Sequence, residues 1–143
     1  MSRVPDVETI KAFNENIVDE FRANGGKVGG QFEGRNLLLL TTTGARSGQP
    51  RLAPLAYFTI DRKTIIIGSK AGADTNPDWV HNLRANPAAH VEVGTEEYDV
   101  TVRELPAAER DEIFDKVVAV APGFGEYQSK TSRVIPLFEL ARS

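Results

Sequence analysis

The chain has 143 residues, with 17 lysines and arginines against 20 aspartates and glutamates, and a net charge of −3. At roughly 150 residues per domain this length predicts one domain, and the acidic balance argues against a nucleic-acid-binding protein, which needs a basic face. The absence of cysteine excludes disulfides, thiolate metal sites and cysteine nucleophiles. No apolar run approaches the ~20 residues that span a bilayer, and the N-terminus lacks the apolar region of a signal peptide. We therefore expect a cytoplasmic, single-domain protein.

The first periodic segment runs from about Asp6 to Ala23 and predicts an amphipathic helix. Gly25 and Gly26 follow it, as is typical of a helix C-terminus. Apolar residues recur on one face at helical spacing, and these are Ile10, Phe13, Ile17, Val18 and Phe21.

Three strands are predicted next, at Leu37–Thr43, Arg51–Ile60 and Thr64–Gly68. Pro54 places the second strand at an edge or a bulge, because proline cannot donate to a ladder. The connections are short, so the three strands must pair antiparallel.

The second half alternates helices and strands. Asn76 as N-cap and Pro77 as first residue predict a helix that ends by Asn86 and Pro87. A hairpin (89–93 and 97–103), a helix opened by Pro106 and running to about Val120, a loop (121–130) and a last strand (134–140) follow. About six mostly antiparallel strands with three helices predict an α+β fold with a barrel-like sheet.

The loop between the first two strands is the most informative stretch for function. It contains two glycines, Arg46 and Ser47, and Arg51 opens the next strand. Exposed backbone N–H groups and two guanidinium forks are suited to one anion, phosphate above all. The alternative, a surface hairpin loop with solvated arginines, stays open, since both the Walker and the dinucleotide fingerprints are absent.

The stretch Gly68-Ser69-Lys70-Ala71-Gly72 ends a strand in glycine-rich backbone suited to hydrogen bonding with a flat heterocycle, or is simply a strand exit. Ser69 and Lys70 do not form a nucleophile pair, because adjacent residues on a strand point to opposite faces.

Trp79 either shelters a planar ligand or belongs to the core, and Asn82 lies on about the same helical face. The glycine-rich loop 122–130 either lines a site or is a plain connection. The two histidines, His81 and His90, stand without ligand-spaced partners, so no metal site is predicted. Because no catalytic constellation stands out and a phosphate loop is predicted, the sequence indicates that a cofactor supplies the chemistry.

Three ordered motifs then carry a resemblance over residues 29–143. The runs LLLLTTTGARSGQPRLAPLAYF, GSKAGADTNPDWVHNLRANP and EYQSKTSRVIPLFEL resemble the deazaflavin-dependent nitroreductase family, the A-type flavin/deazaflavin oxidoreductases that use coenzyme F420. The resemblance implies a split β-barrel domain at 29–143 behind a leading helix at 1–28, an actinobacterial source, and reduced F420 as hydride donor.

The resemblance also implies site residues. Arg46 and Arg51 hold the cofactor phosphate, with Ser47, Gly48 and Gln49 between them. The ring is bordered by Pro54 and Leu55 and by Ser69, Lys70, Ala71 and Gly72, and the helix start with Asn76, Pro77, Trp79 and Asn82 closes over the cofactor. Substrate-side positions are Ala56, Tyr57, Phe124 and Tyr127. Ser69 and Tyr127 are the catalytic candidates that polarise the acceptor oxygen, and Tyr127 or water returns a proton.

The expected function is hydride transfer from reduced F420 to an electron-poor small molecule: a quinone, a conjugated enone or lactone, or a nitroaromatic. Two alternatives are an FMN-binding barrel, since FMN shares the ring–ribityl–phosphate layout, and a deazaflavin carrier without catalysis. Relatives have a tyrosine at the position of Ala56, and a one-residue step reverses the strand face, so Tyr57 does not replace it. Partner expectations are a monomer or homodimer and no nucleic acid, with weak peripheral membrane association left open.

Overall fold

The computed structural model of the chain describes residues 7–28 and 36–143. Within them lie four α-helices, six strands and a short 3-10 turn, Lys70–Gly72. The helices are α1 (Val7–Ala23), α2 (Asp78–Ala85), α3 (Ala107–Val120) and α4 (Gly123–Ser129). The strands are β1 (Leu37–Thr43), β2 (Pro50–Ile60), β3 (Lys63–Ile67), β4 (Ala88–Val93), β5 (Glu96–Glu104) and β6 (Leu137–Arg142).

The six strands form one closed barrel in the order β1-β2-β3-β6-β5-β4, with every pairing antiparallel. The short connections after β1, β2 and β4 fix the antiparallel direction of the pairs β1–β2, β2–β3 and β4–β5. The predicted α+β class with a six-stranded antiparallel barrel is therefore confirmed. None of the helices in the described residues has the length and apolar character to cross a lipid bilayer. The division of the chain at residue 28 stays a prediction.

β2 changes partner along its length. Residues 50–56 pair with β1, whereas residues 57–60 pair with β3. On the side that faces away from β1, the first half of β2 therefore has no partner strand within the described part of the chain. Pro54 lies in this half-paired stretch, which fits the prediction of an edge position.

Both faces of the barrel wall are covered, which explains the four consecutive leucines of β1. Leu38 and Leu40 point into the barrel interior, where α2 contributes Trp79, Val80 and Leu83. Leu37 and Leu39 point outward and pack against α1 through Ile17, Val18 and Phe21. A strand buried on both faces has no polar alternation.

α3 covers another part of the wall. Ile113, Phe114 and Val117 of this helix pack with Ile65 and Ile67 of β3, and Phe124 of α4 joins the same cluster. α1 and α3 thus cover different stretches of the barrel wall, and both also contact β2.

α1 ends as predicted. Gly25 and Gly26 adopt φ values of 64° and 95°, and the N–H of Gly26 donates to the carbonyl of Phe21 at 2.8 Å. A Cβ on Gly26 would lie 2.6 Å from the Cα of Gly94, so the glycine permits the close approach of α1 to the β4–β5 turn. Arg22 donates twice to the carboxylate of Glu92, at 3.1 and 2.8 Å, and fixes the docked helix.

Three predictions about local structure are wrong. Residues 123–129 form α4 instead of lying in a loop, because burial of Phe124 outweighs the low helix propensity of Gly123 and Gly125. Asn76 does not cap α2, because Pro77 is extended at the N-cap position and the helix begins at Asp78. The last strand begins at Leu137, three residues later than predicted.

Candidate functional site

The β1–β2 loop is a compact hairpin held by its own backbone. The N–H of Gly44 donates to the carbonyl of Gln49 at 2.8 Å, and the N–H of Gly48 donates to the carbonyl of Gly44 at 2.9 Å. Ser47 Oγ accepts hydrogen bonds from the N–H of Gln49 at 3.2 Å and from Arg51 Nη2 at 3.4 Å. A Cβ on Gly44 would lie 2.6 Å from Ser47 Oγ and 3.2 Å from the carbonyl oxygen of Gln49, so a larger residue here would displace the Ser47 side chain.

Two cations at this hairpin face solvent: Arg46 lies in the loop, and Arg51 lies at the start of β2. Arg46 and Arg51 are exposed, and neither forms an ion pair with a carboxylate of the described residues. Gly48 has φ +70° and open space around the position where a Cβ would be. Exposed guanidinium groups beside accessible backbone fit a phosphate, which accepts paired hydrogen bonds from arginine.

Asn82 of α2 ties this loop to the helix. Its Oδ1 accepts from the N–H of Ala45 at 2.9 Å, and its Nδ2 donates to Thr42 Oγ1 at 3.1 Å. Asn82 is only 6% exposed, and its contact with Thr42 is buried, whereas its contact with Ala45 is part-buried. The side chain that the sequence placed near the cofactor is therefore a brace of the loop.

A second loop follows β3 and contains an unusual turn. Lys70, Ala71 and Gly72 have φ values of 45°, 54° and 83°, three consecutive residues in the left-handed region. Only glycine adopts this region without cost. Lys70 Nζ donates to Thr75 Oγ1 at 3.2 Å, and Ser69 is nearly buried. Strained backbone of this kind is concentrated at functional sites.

The same loop packs between α2 and α4. A Cβ on Gly68 would lie 2.9 Å from Val80 Cγ2, and a Cβ on Gly72 would lie 2.8 Å from the carbonyl oxygen of Tyr127. α2 therefore contacts this loop through Val80 and the arginine-bearing loop through Asn82. The three motifs quoted from the sequence meet at this helix.

Arg133 is a site residue that sequence reasoning missed. Its guanidinium donates to the carbonyls of Gly68, Ser69 and Ala73 and to Asn76 Oδ1. Burial lowers the pKa of this guanidinium, and Asp74 opposes the effect only in part. Arg133 lies within the third motif, in the run SKTSRVIP. A single arginine in one loop does not indicate that its guanidinium binds four acceptors in a different loop.

The half-paired stretch of β2 supplies the predicted strand edge. Leu55 and Tyr57 pack into the barrel interior, whereas Ala56 packs toward α1. The step from Ala56 to Tyr57 thus reverses the face, as expected. Because Pro54 lacks an N–H, its pair with Leu39 is not hydrogen-bonded, and the carbonyl of Pro54 and the N–H of Ala56 point away from β1. These backbone groups lie on the side of β2 that has no partner strand in this half within the described residues.

α4 carries the predicted substrate-side aromatics. Phe124 is buried and meets Phe58 and Tyr127 edge to face, with ring centroids 5.5 and 5.6 Å apart. Tyr127 is half-buried, and Lys130 Nζ lies 5.8 Å from its ring centroid. The helix backbone at Tyr127 touches Gly72, so the aromatic cluster adjoins the left-handed turn.

Three further residues that were predicted to contact the cofactor have other partners in the structure. Trp79 is 7% exposed and packs edge to face on Phe138 at 5.5 Å, so its indole belongs to the barrel core, and its contact with a cofactor stays a prediction. Asn76 is occupied by Arg133, and Pro77 is the N-cap of α2. A cavity of about 270 Å³ lies elsewhere, between Arg22 and Gly25 of the α1 end and the β4–β5 turn, and none of the predicted residues lines it.

A barrel with a half-paired strand and a cationic hairpin beside it has the features that suit a phosphate-bearing planar cofactor. The sequence model of the F420H(2)-dependent quinone reductase family matches residues 14–141. An F420H(2)-dependent quinone reductase of Mycobacterium tuberculosis is 35% identical over 128 residues, 85% of each chain.

Solved structures agree. The structure of an F420-H2 dependent reductase, FDR-A, is 39% identical with a TM-score of 0.66, and the match covers 74% of this chain and 94% of that one. A protein described as a domain-swapped dimer is 34% identical with a TM-score of 0.67, and the match covers 93% of this chain and 97% of that one.

The chain belongs to the F420H(2)-dependent quinone reductase family. It is accordingly an oxidoreductase whose hydride donor is reduced coenzyme F420. The predicted family resemblance, split-barrel fold and cofactor are confirmed. The individual roles of the site residues remain predictions, and so does the physiological acceptor.

Proposed function

We propose that the protein binds F420 between the two loops that α2 joins, and reduces a quinone there. Arg46 and Arg51 hold the phosphate, and the backbone of Pro54–Ala56 and Ser69–Gly72 borders the ring. One observation carries the assignment: two exposed guanidinium groups, which pair with no carboxylate of residues 7–28 and 36–143, stand at the hairpin whose loop buried Asn82 holds. The residues present thus fit a group with a phosphate at one end and polar ring edges at the other.

When bound, reduced F420 supplies a hydride, and the protein supplies binding and polarity. Arg46 and Arg51 offer guanidinium forks, which hold phosphate with charge-assisted hydrogen bonds. The half-paired edge of β2 orients the ring through fixed backbone groups, so little reorganisation is needed during reaction.

Ser69 and Tyr127 are the candidates that act on the acceptor. The Tyr127 phenol donates a hydrogen bond to the acceptor oxygen as negative charge develops there, and this phenol or a water returns the proton. Ser69 polarises the same oxygen from the strand side. The adjoining rings of Phe58 and Phe124 keep that side of the site apolar.

A quinone is the favoured acceptor class because the matching M. tuberculosis protein is named a quinone reductase. Conjugated enones, lactones and nitroaromatics share the electron-poor centre that hydride attacks and form the rest of a test panel. Ala56 lacks the phenol expected from the resemblance, so reduction of bicyclic nitroimidazoles has less support.

A homodimer is the favoured assembly, because a 34% identical protein is described as a domain-swapped dimer. Light scattering after size exclusion distinguishes it from a monomer. Membrane association has less support, because Ile17, Val18 and Phe21 of α1 are already buried against the barrel.

The test is a fluorescence titration of the apo protein with oxidised F420, repeated with FMN, followed by turnover of reduced F420 with the acceptor panel. Selective, saturable F420 binding with quinone turnover supports the proposal. Selective FMN binding would mean that the cofactor is FMN and not F420. Tight F420 binding without turnover of any acceptor would mean that the protein is a deazaflavin carrier.

A further inference from the structure

Arg133 reaches across 57 to 65 residues of sequence to hold the loop after β3. Its Nη1 donates to the Gly68 carbonyl at 3.1 Å and to Asn76 Oδ1 at 2.8 Å. Its Nη2 and Nε donate to the carbonyls of Ser69 and Ala73, both at 2.8 Å. Four of the five guanidinium N–H groups thus act on one segment.

The segment so held needs an external support. Lys70 and Ala71 adopt left-handed backbone angles that cost free energy for residues with a side chain. Such a conformation persists only where surrounding contacts over-determine it. The contacts of Arg133 stand on both sides of the strained residues, at Ser69 before them and Ala73 after them.

Arg133 is itself anchored from α4. Gln128 Nε2 donates to the carbonyl of Arg133 at 2.7 Å, and Gln128 Oε1 accepts from the N–H of Ile135 at 2.9 Å. The same oxygen accepts from Nη2 of Arg110 at 2.8 Å, and Arg110 is buried against Phe114 of α3. Gln128 follows Tyr127 directly, so one chain of hydrogen bonds joins the aromatic helix to the left-handed turn.

We propose that Arg133 is a positioning residue for the reductase: it fixes the Ser69–Gly72 backbone in the shape that binds the cofactor ring, and Gln128 links that shape to the helix of Tyr127. This inference rests on the proposed cofactor site. Arg133 touches neither cofactor nor acceptor in this scheme; it acts through the carbonyls that it holds. Lysine cannot take its place, because an ammonium has three donors and no planar fork to span four acceptors.

The first test needs no cofactor. Lys70 is exposed, and trypsin cleaves after it only when the turn opens locally. We expect apo R133Q to be cut between Lys70 and Ala71 at least about tenfold faster than the wild type, with mass spectrometry identifying the bond. R22Q is the matched control, since Arg22 forms its contacts with Glu92 on the other side of the fold.

The second test measures cofactor affinity and kinetics. For R133Q we expect the Kd for oxidised F420 and the KM for reduced F420 to rise about tenfold or more, while the KM for a menadione acceptor stays the same. Millimolar guanidinium chloride should restore part of the affinity of R133A, whereas equal sodium chloride should not. A general loss of packing would not raise the KM for F420 while leaving the KM for menadione unchanged, and guanidinium would not restore the affinity.

The outcomes separate the two proposals. Failure of the wild type to bind F420 overturns the cofactor site, but the cleavage assay still decides whether Arg133 holds the turn. Wild-type F420 binding together with unchanged cleavage and affinity in R133Q overturns the positioning role. If R133Q fails to fold, R133K is measured in both assays instead. Cleavage and F420 affinity that lie between those of the wild type and a complete loss support the role of the guanidinium fork. Wild-type cleavage and affinity in R133K overturn it.

Discussion

The Oδ1 atom of Asn82 accepts a hydrogen bond from the backbone N–H of Ala45 at 2.9 Å, across 37 residues of sequence. The Nδ2 atom of the Asn82 side chain donates to Thr42 Oγ1 at 3.1 Å. One buried side chain thereby holds the end of β1 and the start of the cationic loop against α2. We expect the conformation of the loop beside Arg46 and Arg51 to depend on this contact.

Replacement of Asn82 by alanine should therefore weaken both stability and cofactor binding. The variant leaves a backbone N–H and a buried hydroxyl without their partner, which costs about 1–3 kcal/mol in the free energy of unfolding. Urea denaturation measures this loss, and F420 titration measures the effect on the loop. H81A is the control, because His81 is the exposed neighbour on the same helix; equal effects of the two variants would contradict the bracing role.

Removal of the Arg51 guanidinium should weaken F420 binding by about 1.5–3 kcal/mol, the range for hydrogen bonds to charged groups. The wild-type Kd should also rise with salt, because Arg46 and Arg51 are exposed and salt screens exposed charges. A titration of wild type, R46A, R51A and R62A at low and high ionic strength tests both points. Arg62 lies in the β2–β3 turn, so a similar loss in R62A would mean a general charge effect.

The Tyr127 phenol is expected to act in turnover, whereas the Tyr57 phenol is not. Tyr57 packs with the barrel interior, and Tyr127 stands on α4 beside the strained turn. For Y127F we expect kcat to fall by about a hundredfold, the lower end of what a positioned acid contributes, with an unchanged F420 Kd. Y57F is the matched control; an unchanged kcat in Y127F would assign the proton to water.

Most of the barrel could be predicted from the sequence because its signals are local. The run Leu37–Leu40 and the short turns around β2 and β3 set strand positions and antiparallel direction within a few residues. The step from Ala56 to Tyr57 also predicted opposite faces, since strand alternation is a property of the backbone.

The wrong predictions of local structure concern segments whose conformation depends on contacts with residues far away in the sequence. α4 contains two glycines and forms because Phe124 is buried against Phe58, a residue far away in sequence. Asn76 has the residue type of an N-cap, yet its oxygen accepts from Arg133 instead. The supporting roles of Arg133 and Asn82 likewise depend on loops that only the closed barrel brings together.

Glu109 is expected to stabilise the fold in a pH-dependent way. Arg103 donates to both of its carboxylate oxygens, at 2.9 and 2.7 Å, and Lys63 donates at 3.2 Å. These contacts, with Arg103 the larger cause, lower the pKa of Glu109 from 4.5 to about 2. Because the folded-state pKa is the lower one, the contribution is complete above pH 4.5 and is lost as the pH falls toward 2.

E109Q should therefore melt at a lower temperature than the wild type at neutral pH, and the difference should shrink as the pH falls through this window. Thermal unfolding followed by circular dichroism measures it. D115N is the control on the same helix, since Asp115 is exposed and forms no ion pair within the described residues. A difference that stays constant down to low pH would contradict the role of the carboxylate charge.

His90 gives the opposite pH dependence. Its Nδ1 lies 2.9 Å from Asp99 Oδ1 on the facing strand, and Nε2 lies 3.5 Å from Glu97 Oε2. The hydrogen bond to Asp99, with help from Glu97, raises the pKa of His90 above 6.5. The charged pair therefore stabilises the β4–β5 hairpin fully below that value, and the contribution is lost as the pH rises through the folded-state pKa. The ion pairs are exposed, so the loss amounts to about 0.2–1 kcal/mol.

The direct check is an NMR titration of the two histidine side chains, with an H81Q variant assigning the His90 signal. We expect His90 to titrate above 6.5 in the wild type and to move toward this ordinary value in D99N. In parallel, H90Q should be less stable than the wild type at pH values below about 6.5 and nearly equal to it in alkaline solution. A His90 pKa that is unchanged in D99N would mean that the cross-strand pair does not persist in solution.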